Sequence, residues 1–321
     1  MTIPILLDLA VGAAAAEAAV PELLSVPDAV RIAVAAQQAG VAALRILDTA
    51  GDRRALDPSI AAGYLAERAG AVGYLLNIAT THNAPYNTAR RVLSVDRAGG
   101  GRAGVVLHAG AGDEVSDAVA PRTPAPAAAA RWAEYAEILM RLWESFPSAA
   151  LVGDQEGARV VDTSLLSPID HDGHAYRVAG PLDGPSSVQG RPVVAAVRPD
   201  VLGWDTAARV ADVVIVEGGA VADADRALTA ATERVGRRRS EVVLAGRAEI
   251  TVTDAAGGRA AAGRLADWAS AYRLDAVELA PTGGADGVLA GIEHIAAPLA
   301  AVPGPTVRAA LGLPAVAAVL R

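Results

Sequence analysis

The stretch NAPYNTARRVLSVDRAGGGRAGVV, Asn83 to Val106, decides how the chain is read. Tyr86, Ala89, Val92, Leu93 and Val95 recur at spacings of three and four, which predicts a helix with one apolar face. Gly99, Gly100 and Gly101 interrupt that pattern with a turn. Val105, Val106 and Leu107 then read as a buried strand. Helix, glycine turn and buried strand make one αβ step of a parallel α/β protein.

The same step repeats on both sides. Strands are expected at Ile5–Val11, Ala43–Leu47, Val72–Ala79, Ala103–Ala109, Pro192–Val197, Asp212–Val216, Glu241–Ala245 and Ala276–Ala280. Helices are expected at Pro27–Ala39, Pro58–Ala69, Pro85–Arg97, Ala127–Phe146, Leu202–Val210, Ala222–Val235, Gly258–Tyr272 and Ala285–Leu299. Several open on Pro, a residue suited to a first helical turn. Eight βα units in 321 residues predict a (β/α)8 TIM-like barrel, residues 1–321 forming one domain. Residues 151–190 break the rhythm with Pro168, Pro181, Pro185 and hairpin-like pieces at Arg159–Val161 and Tyr176–Val178. This excursion lies between helix 4 and strand 5; such excursions commonly cover a functional face or mediate assembly.

Composition removes whole classes of chemistry. The chain has no cysteine, so disulfides, iron–sulfur clusters, thiolate metal sites and cysteine nucleophiles are excluded. It has no lysine either, so Schiff bases and a P-loop lysine are excluded, and all 28 basic residues are arginine. A net charge of −8 with no basic run among aromatics argues against nucleic acid. Met1 to Val20 lacks a basic n-region and carries Asp8 and Glu17, so it is a poor signal peptide. No uncharged apolar run is long enough for a membrane span. A cytoplasmic protein that takes a small molecule is expected.

Barrel enzymes place their chemistry at strand C-terminal ends. There lie Asp48, Thr80, Thr81, His108 and Glu217. His108 has the residue type suited to acid–base work at neutral pH, or it is a barrel histidine bonded to a neighbour. Asp48, Thr80 and Thr81 serve a ligand or cap the following segments. Arg198 and Asp200, in the loop after the fifth strand, form a ligand clamp or a local ion pair. His171 and His174, spaced HxxH, invite a metal reading, but Gly173 marks a turn there and no metal site is expected.

Four passages carry a family likeness. They are TTHNAPYNTARRVLSVDRAGGGRAG (Thr80–Gly104), EYAEILMRLWESF (Glu134–Phe146), IDHDGHAYRVAGPLDGPSSVQGRPV (Ile169–Val193) and LADWASAYRLDAVELAP (Leu265–Pro281). Together they resemble the bacterial luciferase-like flavin-dependent monooxygenases, in the subgroup that oxidises nitrilotriacetate, pristinamycin precursors and dibenzothiophene sulfone. The third is the most specific. The resemblance implies a luciferase-like barrel that binds FMN, in reduced form supplied by a separate flavin reductase, and that forms a homodimer. On that basis His108 is the candidate catalytic residue. Asp48, Thr80, Thr81, Val106, Arg198 and Asp200 occupy the candidate cofactor positions.

The chain departs from the family where the cofactor is expected. Val105 and Val106 replace a Trp-Asn pair, and a valine offers no hydrogen bond. The family's QAGxSxxG loop reads Ala196 to Gly203 here, with Arg198 for its glycine and Asp200 for its serine. A carboxylate about 4 Å from a phosphate costs on the order of 4 kcal/mol at an effective dielectric near 20. Pro199 removes a backbone N–H. Ala84 and Ala129 replace an acidic residue and a tyrosine, and Glu217 to Ser240 leaves no room for the family's long insertion over the active site. Three readings stand: an FMN-dependent monooxygenase, a non-catalytic homologue acting as a binding or assembly subunit, and a protein using the deazaflavin F420.

Overall fold

The computed structural model describes residues 2–12, 22–110 and 127–316. Its centre is a closed barrel of eight parallel strands: β1 (Ile5–Val11), β2 (Ala43–Leu47), β3 (Gly73–Ala79), β4 (Ala103–His108), β5 (Val193–Val197), β6 (Val213–Glu217), β7 (Val243–Ile250) and β8 (Ala276–Pro281). Each strand pairs with its neighbour in sequence, and β8 closes on β1 through Ile5↔Val277 and Leu7↔Leu279. Leu23–Leu24 adds a short parallel segment beside β1.

Helices α1 (Val26–Gln38), α2 (Pro58–Ala66), α3 (Pro85–Ala98), α4 (Ala128–Glu144), α5 (Trp204–Val210), α6 (Ala224–Arg234), α7 (Ala255–Ala271) and α8 (Gly284–Gly291) follow the strands in turn. Ser25 caps α1, Asp57 caps α2 and Asp254 caps α7, each accepting from a first-turn backbone N–H. The outward strand residues Leu7, Leu44, Leu76 and Leu107 are buried among Ile32, Leu93, Trp132 and Trp143 on the helices. The indole nitrogens are also placed: Trp132 donates to Leu107 O and Trp143 to Ala89 O, at 2.9 Å each. The tryptophans are packing residues.

The decisive stretch folds as its pattern predicts. After α3, Gly100 and Gly101 take φ values of 63° and 87°, which turn the chain into β4. Asp96, fully buried, accepts from Ala103 N at 3.0 Å and from Gln189 Nε2 at 2.7 Å. Gln189 also donates to Ala103 O and accepts from Arg308 N. The Gln-Gly-Arg-Pro segment thus serves as a clasp between α3, β4 and the C-terminal segment.

Boundaries shift where polar side chains enter an apolar run. The apolar pattern of the seventh strand stops at Ala245, yet the strand continues to Ile250. Arg247 belongs to the strand because its guanidinium finds carboxylates inside the barrel. The fifth helix breaks at Gly203, φ 84°, into a turn at Pro199–Leu202 and α5 proper. The eighth helix passes through a π segment, Ile292–Ala296, before ending at Leu299. In the excursion, Arg159–Val161 pairs with Leu151–Asp154 and Arg177–Val178 pairs with His171–Asp172, so the expected hairpin-like pieces belong to two separate ribbons. The chain between β6 and β7 holds a short 3-10 turn, α6 and a second 3-10 turn at Arg239–Glu241, in keeping with the short connection read from sequence.

Candidate active site

Alternation along the strands sorts side chains into layers. At the N-terminal end the barrel is filled by Leu6, Ala43, Leu75, Val106, Ala195, Val213, Ala245 and Ala276. A last helix, α9 (Val307–Ala310), with Leu311 and Leu313, plugs that end. Two residues further along, the filling becomes polar on six of the strands, with Asp8, Arg45, Asn77, His108, Arg247 and Glu278, and stays apolar on β5 and β6, with Val197 and Ile215. Above this layer opens a cavity of about 510 Å³, whose lining includes Asp8, Arg45, Asp48, Asn77, His108, Val197, Arg198, Asp200, Glu217 and Arg247.

The polar layer is connected around the mouth. Arg45 donates from Nη1 to Glu278 Oε2 at 3.1 Å, and from Nε and Nη2 to Asn77 Oδ1 at 3.0 and 2.7 Å. Asn77 Nδ2 donates to Asp48 Oδ1 at 2.7 Å. The other Asp48 oxygen lies 3.3 Å from His108 Nε2. Burial works against the Asp48 carboxylate, but hydrogen bonds from His108 and Asn77 outweigh it and hold its pKa below the ordinary value. An ionised Asp48 therefore faces His108, the arrangement that orients an imidazole.

Across the mouth, Arg247 donates from Nε to Asp8 Oδ2 at 2.9 Å and from Nη1 to Glu217 Oε2 at 3.1 Å. Its Nε lies 3.8 Å from Glu278 Oε2. The second oxygens of Asp8 and Glu278 are buried with no other partner. Burial, with Asp8 alongside, pushes the Glu278 carboxyl up to about 8 against the pull of Arg45 and Arg247.

The residues expected at the site divide into two groups. Asp48, His108, Arg198 and Asp200 line the cavity. Arg198 and Asp200 pair with each other at 3.0 Å, about half exposed, with Arg198 at φ 55°. Arg198 holds the Asp200 carboxyl below the usual range. Thr80, Thr81 and Val106 are buried and do not line that cavity. Thr80 O accepts from Tyr176 OH at 3.1 Å, which latches the excursion onto the end of β3. Val106 sits in the apolar layer beneath His108. His171 is held by Glu134 at 3.0 Å and lies beside Arg141, as part of the fold of the excursion. Among the described residues no helix is long and apolar enough to cross a membrane.

Sequence reasoning missed Asp8, Arg45, Asn77, Arg247 and Glu278. Their signal was present. Asp8, Arg45, Asn77 and Glu278 are each the one charged or amide residue of an otherwise apolar strand, as in ILLDLAV or AVELAP, whereas Arg247 lies past the apolar run of its own.

A family profile described as luciferase-like monooxygenase matches residues 5–304. The chain belongs to the luciferase-like monooxygenase family. Among relatives, nitrilotriacetate monooxygenase component A of Aminobacter aminovorans is 30% identical over 55% of this chain and 40% of its own length. Dibenzothiophene-sulfone monooxygenase of Rhodococcus erythropolis is 30% identical over 44% of this chain and 31% of its own. The matches thus span less than half the length of these relatives. The structure of EDTA monooxygenase from Chelativorans sp. BNC1 superposes with a TM-score of 0.79 at 18% identity, covering 98% of this chain and 99% of that one. At that identity the likeness establishes the fold.

A family of this kind implies a flavin, and the site meets that requirement at one end. Its volume lies in the range of small-molecule sites, and Arg45, Arg247, Asn77 and His108 offer hydrogen-bond donors over a buried floor. The turn after β5 fits a phosphate poorly: Pro199 has no N–H, Asp200 presents a carboxylate, and Arg198 is already engaged by it.

Proposed function

We propose that the protein is a flavin-dependent monooxygenase acting on a small organic substrate, with reduced FMN supplied by a separate reductase. The observation that carries this reading is the cavity at the C-terminal mouth of a luciferase-like barrel, floored by Arg45, Arg247 and Asn77 and walled by the Asp48–His108 pair. When bound, the flavin supplies the oxygen chemistry. The chain contributes a buried floor, donors fixed by their own hydrogen bonds, and His108 as the group that takes or gives a proton at Nε2 or Nδ1. Asp48 keeps that imidazole oriented. The nitrilotriacetate relative is named as one component of its monooxygenase, which supports a part in a multi-component system with a reductase partner.

The Arg198–Asp200 turn favours a second reading, a homologue that has lost the cofactor and serves as a binding or assembly subunit. Titration of the purified protein with FMN, anaerobically reduced FMN and F420 separates the two. Saturable binding of reduced FMN supports the enzyme, binding of F420 alone replaces its cofactor, and failure of all three leaves the second reading. If the enzyme reading holds, His108→Ala lowers turnover about 100-fold or more, the usual weight of a general acid–base group, with little change in flavin affinity. Stopped-flow and steady-state rates check it. Unchanged turnover would remove His108 from the chemistry.

A further inference from the structure

Asp8 on β1 and Glu278 on β8 face each other inside the closed seam of the barrel. Their side chains are 5% and 0% exposed. Each has one oxygen held by an arginine and a second oxygen, Asp8 Oδ1 and Glu278 Oε1, buried with no donor. Two buried acceptors side by side, each lacking a donor, are satisfied together by one proton between them. The groups facing the pair are Arg45 from β2, Arg247 from β7 and Glu217 from β6, with Glu249 3.9 Å from Arg247 and Asp48 and His108 beyond Asn77.

We propose that Asp8 and Glu278 hold a single proton between them at neutral pH, and that this carboxyl pair is a second acid–base group of the cavity, separate from His108. Asp8 lines the cavity and Glu278 lies behind it. The step is a proton transfer only. The carboxyl O–H bond breaks, its electron pair stays on oxygen, and the proton goes to a lone pair on a nitrogen or oxygen of the molecule in the cavity. Both carboxylates are then ionised against Arg45 and Arg247, and the reverse transfer restores the shared proton. The ligand class is a molecule with a proton-accepting heteroatom reaching the floor.

Infrared spectra across a pH titration test the pair without any ligand. The wild type should show a protonated carboxyl band at pH 7 that disappears as pH rises through about 8, the value to which Glu278 is pushed. Glu278→Gln should lack it, and Asp8→Asn, which also keeps size, should remove the same band. Asp96, raised by its own burial, contributes equally to all three proteins. Spectra that do not differ between wild type and variants overturn the proposal. The band should also shift in D2O without unfolding, since Asp8 lines the cavity although its unpaired oxygen is buried, and a band that stays unshifted in the folded protein overturns the acid–base role. The role rests on the mouth being the active site, so FMN serves as an anionic probe. Its affinity should fall several-fold through the same pH interval in wild type and stay flat in Glu278→Gln. Equal pH dependence in both overturns the role. If FMN binds at no pH, the flavin reading fails while the infrared result still decides the pair.

Discussion

Glu278 is a residue through which pH acts on this fold. Its folded pKa, about 8, lies above the ordinary 4.5, so the folded protein keeps a proton that the unfolded chain loses. The unfolded state then binds fewer protons between those values, and stability falls as pH rises. The stabilisation is fully present below about 4.5 and is gone once pH passes about 8. Denaturant titrations from pH 5 to 9 should show this slope in wild type and a flatter one in Glu278→Gln. An unchanged slope would mean that Glu278 is ionised in the folded state. Arg198 offers a second test. Its left-handed backbone costs about 1 kcal/mol for any residue with a Cβ, and its exposed pair with Asp200 contributes at most about 1 kcal/mol. Arg198→Gly and Arg198→Ala lose the same pair, so Gly should be the more stable by about 1 kcal/mol. Thermal melts showing Ala equal to Gly would contradict that assignment.

Among the elements, the clasp around Gln189 carries more than its loop position suggests. Gln189→Ala removes donors to Asp96 and Ala103 O and leaves the buried Asp96 short of a partner. A loss of about 2–4 kcal/mol is expected, read as a lower denaturant midpoint with an unchanged m value. A loss under about 0.5 kcal/mol would show the clasp to be incidental. The clasp also explains how much of the architecture the residues announced. Gly99 to Gly101, the apolar strands and the helix periods fixed the barrel order, because backbone turns and burial are local or nearly local demands. The mouth was read only in part. Asp48 and His108 stood at strand ends, where barrel chemistry is expected. Arg247 lay beyond the end assigned to its strand, because a charged residue interrupts an apolar run. Only partners far away in sequence, Asp8 and Glu278, make its burial tolerable. Thr80, Thr81 and Val106 were placed at the site by resemblance to a pattern, and in this fold they are buried and do not line the cavity.

At the scale of the whole molecule, the barrel closes an apolar plug at one end and opens a charged, self-bonded mouth at the other. That polarity suits a ligand that brings its own chemistry and asks the protein for position, donors and protons. The Arg198–Asp200 turn sets the limit on that fit, since an anionic tail meets a carboxylate there. Anaerobic titration of reduced FMN against the wild type and against Val197→Trp, whose indole would fill the mouth, tests the assignment most directly. One saturable site in the wild type, lost in a Val197→Trp protein that keeps its circular dichroism, is the expected result; no binding by either, or equal binding by both, would contradict a flavin in the barrel mouth.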